Sequence, residues 1–395
     1  MIKGDMREML TGDGKYIKRL NRRLILKEII KNKFISRADL AKITGLNKAT
    51  ISVQVAELLE ENLIYETRQE HNTIGRRPIM LSANEKAGYI LGIDLDYPTI
   101  HFQVSDLHGT PVEKQIFHIQ TKEYEKIKDI LVKQINKYVE YYVSADYGLI
   151  SAIVGIHGTV DKDEKVHFVP KLNWSQKDLK GDLSKEIGID IYLENNANLS
   201  AYAERVYHYH ENNNMLTIIL TSAIGAGIIN DGKIHKGYHG YAGEMGHMII
   251  EPNGIPCACG NHGCYEQYAS EPALLKELSR LLNQDDITID DLELLITERN
   301  PIAIEAIKTF LSYLAIGLNN IINLYNPETV VINSKVLNMY PNAISELESN
   351  LTSSVSQYGK IALSQLGTKA CILGATALGI KKFFEVPELF LTLPD

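Results

Sequence analysis

The segment CACGNHGC, Cys257 to Cys264, holds three of the chain's four cysteines within eight positions. A disulfide would use only two of these thiols and a nucleophilic cysteine only one, so neither explains the cluster. Three thiolates and one imidazole fill a closed tetrahedral zinc site, and either His247 or His262 can supply the imidazole. The spacing therefore predicts a structural Zn²⁺ ion bound by Cys257, Cys259, Cys264 and one of these histidines.

Two carboxylates flank the predicted metal ligands. Glu244 lies three residues before His247, and Glu266 lies two residues after Cys264. A metal ion that pins both segments to one point also fixes both carboxylates, which favours a ligand-binding role over a solvated surface position. The fourth cysteine, Cys371, lies far away in an apolar stretch, where core packing is its expected role.

The chain that must position these residues has 395 residues, which suits two or three domains, and an ordinary hydrophobic fraction of 45%. Few cysteines, no signal-peptide layout and no apolar run of about eighteen residues predict a cytoplasmic protein without a membrane partner. Residues 1–80 contain 16 Lys and Arg against 10 Asp and Glu, whereas the remainder contains 25 against 39. A basic module on an acidic body suggests that the module alone meets a polyanion.

The basic region contains two short helical segments joined by a glycine turn, which is the pattern of a helix-turn-helix. Ser36 is a capping residue for the first helix, Gly45 suits the turn, and Asn47 is a capping residue for the second. The second helix is expected to bury its apolar stripe and to present polar residues to DNA. The predicted DNA contacts on these helices are Arg37, Lys48, Ala49, Thr50, Ser52 and Gln54.

A β-hairpin wing is predicted next, because LIYE and PIML flank the polar turn TRQEHNTIGRR. Arg76 and Arg77 near its tip are expected to contact backbone phosphate or the minor groove. A helical bundle that mediates protein contacts is the alternative for the helices alone. The wing and the positive charge favour a winged helix-turn-helix DNA-binding domain over residues 1–84.

The remaining residues, 85–395, alternate short apolar strands with long helices, which predicts two α/β lobes around a cleft. The strand candidates include YILGIDL and LISAIVGIHGTVD in the first half, and MLTIILTSAIGAGIIN and TVVIN in the second. A strand that enters a glycine loop occurs in both halves. We therefore expect a duplicated fold that once held a nucleotide between its lobes.

The order helix-turn-helix, GRRP, LGIDL, GIHGTVD, LENNANLSAYAE, GYAGEMGH and CACGNHGCYEQYAS resembles the ROK family of repressors and sugar kinases. The winged helix in front is similar to the repressor branch of that family. The resemblance implies an actin-like, hexokinase-like (ribonuclease H-like) body. One lobe would comprise approximately 85–196 plus the C-terminal helix, and the other 197–375. It also implies a homodimer or a dimer of dimers.

The resemblance assigns the zinc imidazole to His247 in GYAGEMGH rather than to His262. His247 would bind zinc through one ring nitrogen and face a sugar with the other. The sugar site implied by the family comprises Asn195, Asn196, Glu244, His247 and Glu266. These groups suit the hydroxyls of most aldoses, and the resemblance favours xylose.

The same resemblance indicates that the kinase chemistry is lost, so no catalytic residue is assigned. Asn196 occupies the position of the kinase base, and an amide cannot accept a hydroxyl proton at neutral pH. In DLDYPT, Asp96 and Tyr97 replace glycines of a phosphate cradle, which leaves Asp94 a structural role. The glycines of the second phosphate loop, Gly225 and Gly227, are retained. Asn333–Ser334 replaces the Gly-Gly pair at the adenosine site of the family's kinases.

The sequence therefore predicts a sugar-responsive transcriptional repressor that is not an enzyme. It would bind operator DNA and be released by a free sugar. Two alternatives stay open: a bifunctional protein with residual ATP-dependent sugar kinase activity, and a repressor controlled by a protein partner.

Overall fold

The computed structural model describes residues 14–68 and 78–393. Its N-terminal part consists of α1 (Gly14–Asn32), β1 (Ile35–Ser36), α2 (Arg37–Thr44), α3 (Lys48–Glu60), β2 (Ile64–Thr67) and β3 (Met80–Ala83). Strand β3 pairs antiparallel with both β1 and β2, so the predicted hairpin of LIYE and PIML is confirmed. Arg76 and Arg77 lie outside the described residues.

The predicted helix boundaries in this part are confirmed by their caps. The Ser36 hydroxyl accepts the Asp39 N–H at 3.1 Å, and the Asn47 side chain accepts the Thr50 N–H at 2.8 Å. Gly45 ends α2 with a φ of 70°, in the left-handed region that favours glycine. Helices α2 and α3 contact each other across this turn, as in a helix-turn-helix, and Ile51 of α3 is buried.

The first lobe is built on a five-stranded sheet of order β11-β7-β4-β5-β6. Its elements are β4 (Tyr89–Leu95), β5 (Thr99–Asp106), β6 (Pro111–His118), α4 (Tyr124–Tyr141), β7 (Leu149–Ile156), β8 (Thr159–Val160), β9 (Val166–Val169), β10 (Trp174–Lys177), α5 (Leu179–Glu186) and β11 (Asp190–Asn195). Strands β4, β5 and β6 form an antiparallel meander, whereas β4, β7 and β11 are parallel. Strands β8, β9 and β10 form a small separate sheet.

The second lobe repeats this topology in its sheet of order β14-β13-β12-β15-β16. It contains α6 (Asn196–Tyr207), β12 (Met215–Ile219), β13 (Gly225–Asn230), β14 (Lys233–Ile234), α7 (Glu266–Ala269), α8 (Glu271–Leu282), α9 (Ile289–Thr297), α10 (Pro301–Tyr325), β15 (Thr329–Asn333), α11 (Lys335–Met339), α12 (Ala343–Ser349) and β16 (Lys360–Leu363). Helix α13 (Ala370–Phe384) follows and packs on the first lobe. In both sheets an antiparallel meander is extended by two parallel strands. The duplicated fold predicted from the two strand–glycine stretches is confirmed.

Helices α6 and α13 pack against each other between the two sheets. Helix α13 contacts β4 and β7 of the first lobe, whereas α6 contacts β12 and β13 of the second. A side chain at Gly227 of β13 would meet the Ala197 carbonyl oxygen at 2.3 Å. Glycine at this position therefore lets α6 lie directly on the sheet, which explains its presence without any phosphate.

Helix α10 is long and apolar enough to cross a membrane by length and composition, but 50% of its apolar window is buried inside the protein. Its buried residues recur every three or four positions, from Ala303 to Ile322, as in a core helix that packs along one face. Helices α8 and α12 cover that face. Its apolar composition is therefore explained by its place in the core of the second lobe.

We predict that Gly227→Ala destabilises the body, because the new methyl group would overlap the Ala197 carbonyl of α6. The expected loss in free energy of unfolding is about 1–3 kcal/mol, measured by thermal and urea unfolding. Gly225→Ala, two residues away on β13, is the matched control, since its nearest contact would be an ordinary 3.4 Å to the Ala197 Cβ. Equal effects of the two substitutions would contradict this account of Gly227.

Candidate metal centre, ligand cleft and nucleic-acid face

The ligand-type atoms of His247, Cys257, Cys259 and Cys264 all lie within 4.8 Å of one another. The Cys259 and Cys264 sulfurs are 3.6 Å apart, and the Cys257 sulfur is 3.7 Å from His247 Nδ1. Around a tetrahedral zinc ion, ligand atoms are separated by about 3.5–3.8 Å. The donor group therefore can hold a metal ion. It includes His247 and leaves out His262, as the resemblance implies.

The loop that brings the thiols together is closed by its own backbone. The Cys257 N–H donates to the Asn261 carbonyl at 2.9 Å, and the Gly263 N–H donates to Ile255 at 2.8 Å. Gly263 has a φ of 78°, and a side chain there would meet the Glu251 carbonyl oxygen at 1.7 Å. Only glycine allows this close approach, so the chain can fold back on itself within eight residues.

The thiols differ in their surroundings. Burial raises the pKa of the Cys257 thiol to about 12 and also raises that of Cys264. The backbone N–H of Asn261 lowers the pKa of Cys259. Metal binding by the two buried thiols would therefore release protons, because the ligand form is the thiolate.

His247 has its two ring nitrogens on different sides, as expected from the family. Its Nδ1 faces the thiols, whereas Nε2 lies 3.9 Å from a carboxylate oxygen of Glu244. Glu244 is partly exposed in the cleft wall, and desolvation raises its pKa. One oxygen of Glu266 lies 3.1 Å from the Cys257 sulfur and 3.5 Å from His247 Nδ1, so this carboxylate partly faces the metal donors.

The cleft between the lobes has a volume of about 1940 Å³, and all five sugar-site residues predicted from the family line it. Asn196 is the first residue of α6 and offers its side chain to the cleft. Asn195 has a structural task as well. Its Oδ1 caps α6 by accepting the N–H groups of Ala197 and Asn198, and its Nδ2 donates to the Gly158 carbonyl at 2.8 Å.

Charged side chains fill the region of the first hairpin where a phosphate cradle would lie. Lys171 Nζ contacts both oxygens of Asp96, at 2.8 and 3.0 Å. Asp94 accepts from His157 Nε2 at 2.7 Å, in keeping with a structural role. A phosphate group would have to break these pairs and enter beside two carboxylates.

A buried carboxylate also contacts Ser334, part of the pair that the resemblance places where the family's kinases bind adenosine. Glu271, at 2% exposure, accepts from the Ser334 hydroxyl at 2.8 Å and from the N–H groups of Lys335 and Val336. The Asn333 side chain donates to the Gly367 carbonyl at 2.8 Å. The first amides of α11 are therefore already satisfied within the protein.

The exposed face of α3 differs from the prediction at one position. Lys48, Ala49 and Ser52 are exposed and Thr50 is half-buried, but Gln54 is only 3% exposed, so its predicted contact with DNA is wrong. Gln54 lies three residues after Ile51 and four before Leu58, which places it on the buried face of the helix. Val53, at 56% exposure, points outwards instead.

Part of the positive charge of this module is paired within it. Arg37 forms an ion pair with Glu66 of β2 at 2.5 Å, and Lys18 forms one with Glu57 of α3 at 2.6 Å. Arg22 pairs with Glu61. A DNA contact by Arg37 would therefore have to share or replace Glu66.

The winged helix also contacts the body, through the C-terminal tail that follows α13. Lys27 of α1 pairs with one oxygen of Glu388 at 2.6 Å, and Arg205 of α6 contacts the other at 3.4 Å. Arg23 pairs with Glu385, and Lys31 lies over the ring of Phe390 at 4.7 Å. One carboxylate thus joins the DNA-binding module to a helix that begins in the cleft.

Sequence reasoning missed three residues of this arrangement: His157, Glu271 and Glu388. His157 stands in GIHGTVD at a strand end, a position where a polar residue enters a cleft, so a signal was present. Glu271 and Glu388 act through partners more than sixty residues away in the chain. No local pattern reports such contacts.

Comparison with known proteins finds a matching family model for the body and another for the N-terminal module. A family model described as "ROK family" matches residues 90–382, and one described as "Winged helix-turn-helix DNA-binding" matches residues 18–65. The chain is similar to the xylose repressor of Bacillus subtilis (strain 168), with 38% identity over 96% of this chain and 99% of the relative.

Two solved structures extend the comparison. A ROK family transcriptional regulator, described as a homolog of the E. coli MLC protein, aligns with a TM-score of 0.81 and 26% identity over 93% of this chain and 97% of that chain. A ROK family glucokinase from Streptomyces griseus, in complex with glucose and AMPPNP, aligns with a TM-score of 0.64 and 23% identity over 74% of this chain and 99% of that chain. The latter likeness shows the fold of the body alone.

We predict that the purified protein carries about one equivalent of tightly bound metal, zinc being the ion that a Cys₃His set prefers. Cys259→Ser should lose most of it, because one of four ligands is removed, whereas the control Cys371→Ala should keep it. Elemental analysis of both variants after dialysis measures this. A wild-type protein without metal, or a Cys259→Ser variant with full metal content, would show that the thiols serve another purpose.

Proposed function

Because the chain belongs to the ROK family, we propose that it is a sugar-responsive transcriptional repressor of the family's repressor branch. It binds operator DNA through its winged helix-turn-helix and is released by a free sugar. We propose residues 1–84 as the DNA-binding domain and residues 85–395 as the sugar-sensing body. Within the body, the first lobe would take about 85–196 with the C-terminal helix, and the second 197–375.

The observation that carries this proposal is the path of α6. The helix begins in the cleft at Asn196 and reaches Arg205 after about 14 Å. There it meets Glu388, which Lys27 of the DNA-binding module also contacts. A ligand that displaces the start of α6 would therefore disturb a contact that holds α1. A kinase that only turns over sugar has no need of such a connection.

The proposed sugar site comprises Asn195, Asn196, Glu244, His247 and Glu266, which together line the cleft. Zinc would be bound by His247, Cys257, Cys259 and Cys264. With all four positions filled by protein, its role would be to order the loop that carries Glu244 and Glu266 rather than to activate water. The name of the B. subtilis relative supports xylose as the ligand.

The protein would not act as a kinase. Asn196 lacks the proton acceptor of a general base, the Lys171–Asp96 pair fills the phosphate region, and Glu271 occupies the start of α11. The similarity to named repressors supports the same conclusion. A bifunctional sugar kinase would be recognised by ATP-dependent phosphorylation of the sugar, and a repressor controlled by a partner protein by a failure of free sugar to release DNA.

The DNA contacts proposed are Lys48, Ala49, Thr50 and Ser52 on α3, with Val53 added from the structure, and Arg37, Arg76 and Arg77 as phosphate contacts. The family resemblance supports a homodimer, and we propose a dimer or a dimer of dimers, which would bind two half-sites of an operator. The site of action would be the cytoplasm, where the operator lies.

We predict that Lys48→Ala weakens binding to every DNA fragment to a similar degree and flattens the slope of log affinity against log salt by about one, because one phosphate contact is lost. Val53→Ala should instead alter the preference among operator variants with thymine substitutions, since its methyl groups suit the thymine methyl. Fluorescence anisotropy at several salt concentrations with promoter DNA from the protein's own locus measures both.

Lys133→Ala, which removes an exposed lysine of α4 in the body, is the charge-matched control and should leave the slope unchanged. Absence of binding by the wild type to any fragment of its own locus at low salt would overturn the repressor proposal.

We predict that Glu388→Gln reduces the response to sugar. In the wild type, saturating xylose should weaken operator affinity by roughly 5–150-fold, the usual range for coupled sites. Glu388→Gln removes the charge shared by Lys27 and Arg205, so this ratio should fall towards one while xylose still binds. Operator titrations with and without xylose, paired with calorimetry of xylose binding, measure the two quantities separately.

Glu385→Gln is the matched control, since Glu385 lies in the same tail and pairs with Arg23 of α1, whereas Arg205 of α6 pairs with Glu388. It should keep the wild-type ratio. If Glu385→Gln lost the response and Glu388→Gln kept it, the route through α6 would be wrong.

A further inference from the structure

The floor of the cleft contains a histidine that neither the metal centre nor the proposed sugar contacts include. His157 follows β7 directly, and its ring lies between a carboxylate and an amide. Its Nε2 is 2.7 Å from Asp94 Oδ1, and its Nδ1 is 3.3 Å from Asn196 Nδ2. The side chains of His157 and Asp94 are only 18% and 14% exposed, so water cannot readily replace either partner.

These two contacts fix the protonation pattern of a neutral ring. A carboxylate only accepts, so the proton of His157 must be on Nε2, where it faces Asp94. Nδ1 then carries a lone pair and can accept from the Asn196 NH₂ group. The amide therefore has one favoured orientation, with Nδ2 towards His157 and Oδ1 left as the acceptor that Asn196 can offer to the cleft.

We propose that the Asp94–His157 pair is a positioning device that holds the Asn196 amide with Oδ1 towards the ligand and thereby restricts the ligand to a sugar with a free, unphosphorylated hydroxyl at that point. This inference rests on the proposed function, since it names the ligand class of the same cleft. Asn196 stands where the family's kinases carry their base. The Asn196 Oδ1 held in this orientation can accept a hydrogen bond from the sugar hydroxyl, but an amide cannot remove the hydroxyl proton.

The chemistry of this corner selects against charged sugars. A phosphate ester offers acceptor oxygens, which repel the lone pairs of Oδ1, and it would lie near the carboxylates of Asp94 and Asp96. Only Asp96 is neutralised by a lysine, Lys171. A neutral hydroxyl makes one hydrogen bond with Oδ1 and meets no repulsion.

Protonation of His157 should reverse the orientation of the Asn196 side-chain amide. An imidazolium donates from both nitrogens, so Nδ1–H would attract Asn196 Oδ1 or Asp96 Oδ2, which is 3.8 Å away. The amide would then turn Nδ2 towards the ligand. The other titratable groups around the ring are Cys371, which lies within 4.8 Å, and Lys171 and His101, which act on the Asp96 and Asp94 carboxylates.

The pH at which this occurs follows from the surroundings. Burial by itself lowers the pKa of His157, but the negative charge of Asp94 outweighs that effect, so the pKa is raised above its ordinary value. The ligand-competent neutral ring is therefore fully present only well above that raised pKa. Sugar affinity should decline as the pH falls through that raised pKa.

The test is calorimetric titration of the full-length protein with xylose at a series of pH values from alkaline to acidic. The wild type should lose roughly tenfold in affinity over that series. His157→Asn keeps an acceptor in place of Nδ1 but does not titrate, so it should bind within about threefold of the wild type at pH 8 and show no decline. His157→Leu should bind about tenfold more weakly at pH 8, because the amide is no longer held.

His167→Gln is the control for another cleft histidine, whose Nδ1 contacts Gln176 and not Asn196, and it should keep the wild-type pH profile. Retained metal content and operator binding would show that each variant is folded. A pH decline that persists in His157→Asn, or wild-type affinity in His157→Leu, would overturn this proposal and leave the repressor function standing. Failure of the wild type to bind xylose at any pH would overturn the sugar assignment and this proposal with it.

Discussion

The burial of α6 between the two sheets is the constraint on which the rest of the structure depends. Every residue from Ala197 to Tyr207 is buried, including Glu204 and Arg205. Buried polar groups need partners, and these come from different parts of the chain: Ser364 bonds Glu204 at 2.5 Å, and the tail supplies Glu388 to Arg205. Because burial raises the pKa of Glu204 to about 7, the helix even carries a group that can titrate near neutrality. A helix held on all sides cannot shift without moving the elements that hold it.

That constraint explains how a kinase-like body can serve as a sensor. In a phosphotransferase the cleft must stay open to a nucleotide, whereas the proposed function expects internal pairs to oppose nucleotide binding here. Lys171 neutralises Asp96, and Glu271 satisfies the first amides of α11. In each pair, the protein itself makes a contact that a phosphate or ribose could otherwise make. On the side of the proposed sugar site, Glu244, His247 and Glu266 contact one another and line the cleft, and such polar groups can bond hydroxyls.

Much of this could be read from the sequence, because it is encoded over short distances. The caps at Ser36 and Asn47, the hairpin of the wing, the duplicated strands and the cysteine spacing are all patterns within a few residues. Gln54 was predicted to face DNA, but the helical period places it three residues after Ile51 and four before Leu58, on the buried face of α3. The pairing of Arg37 with Glu66 and the bridge from Glu388 to both Lys27 and Arg205 depend on tertiary packing. No periodicity could have revealed them.

The metal donors and α6 face the same cleft from different elements, so one ligand in the cleft can contact both. The thiol loop belongs to the second lobe and is closed on itself at Gly263, and the carboxylates of Glu244 and Glu266 lie before and after it in the chain. Asn196 belongs to the start of α6, where its amide is held by His157 of the first lobe. Under the proposed function, a ligand that bonds to both would draw the second-lobe carboxylates and the helix towards each other. Because Arg205 of α6 contacts Glu388, which also pairs with Lys27, such a shift would reach the DNA-binding module through this carboxylate.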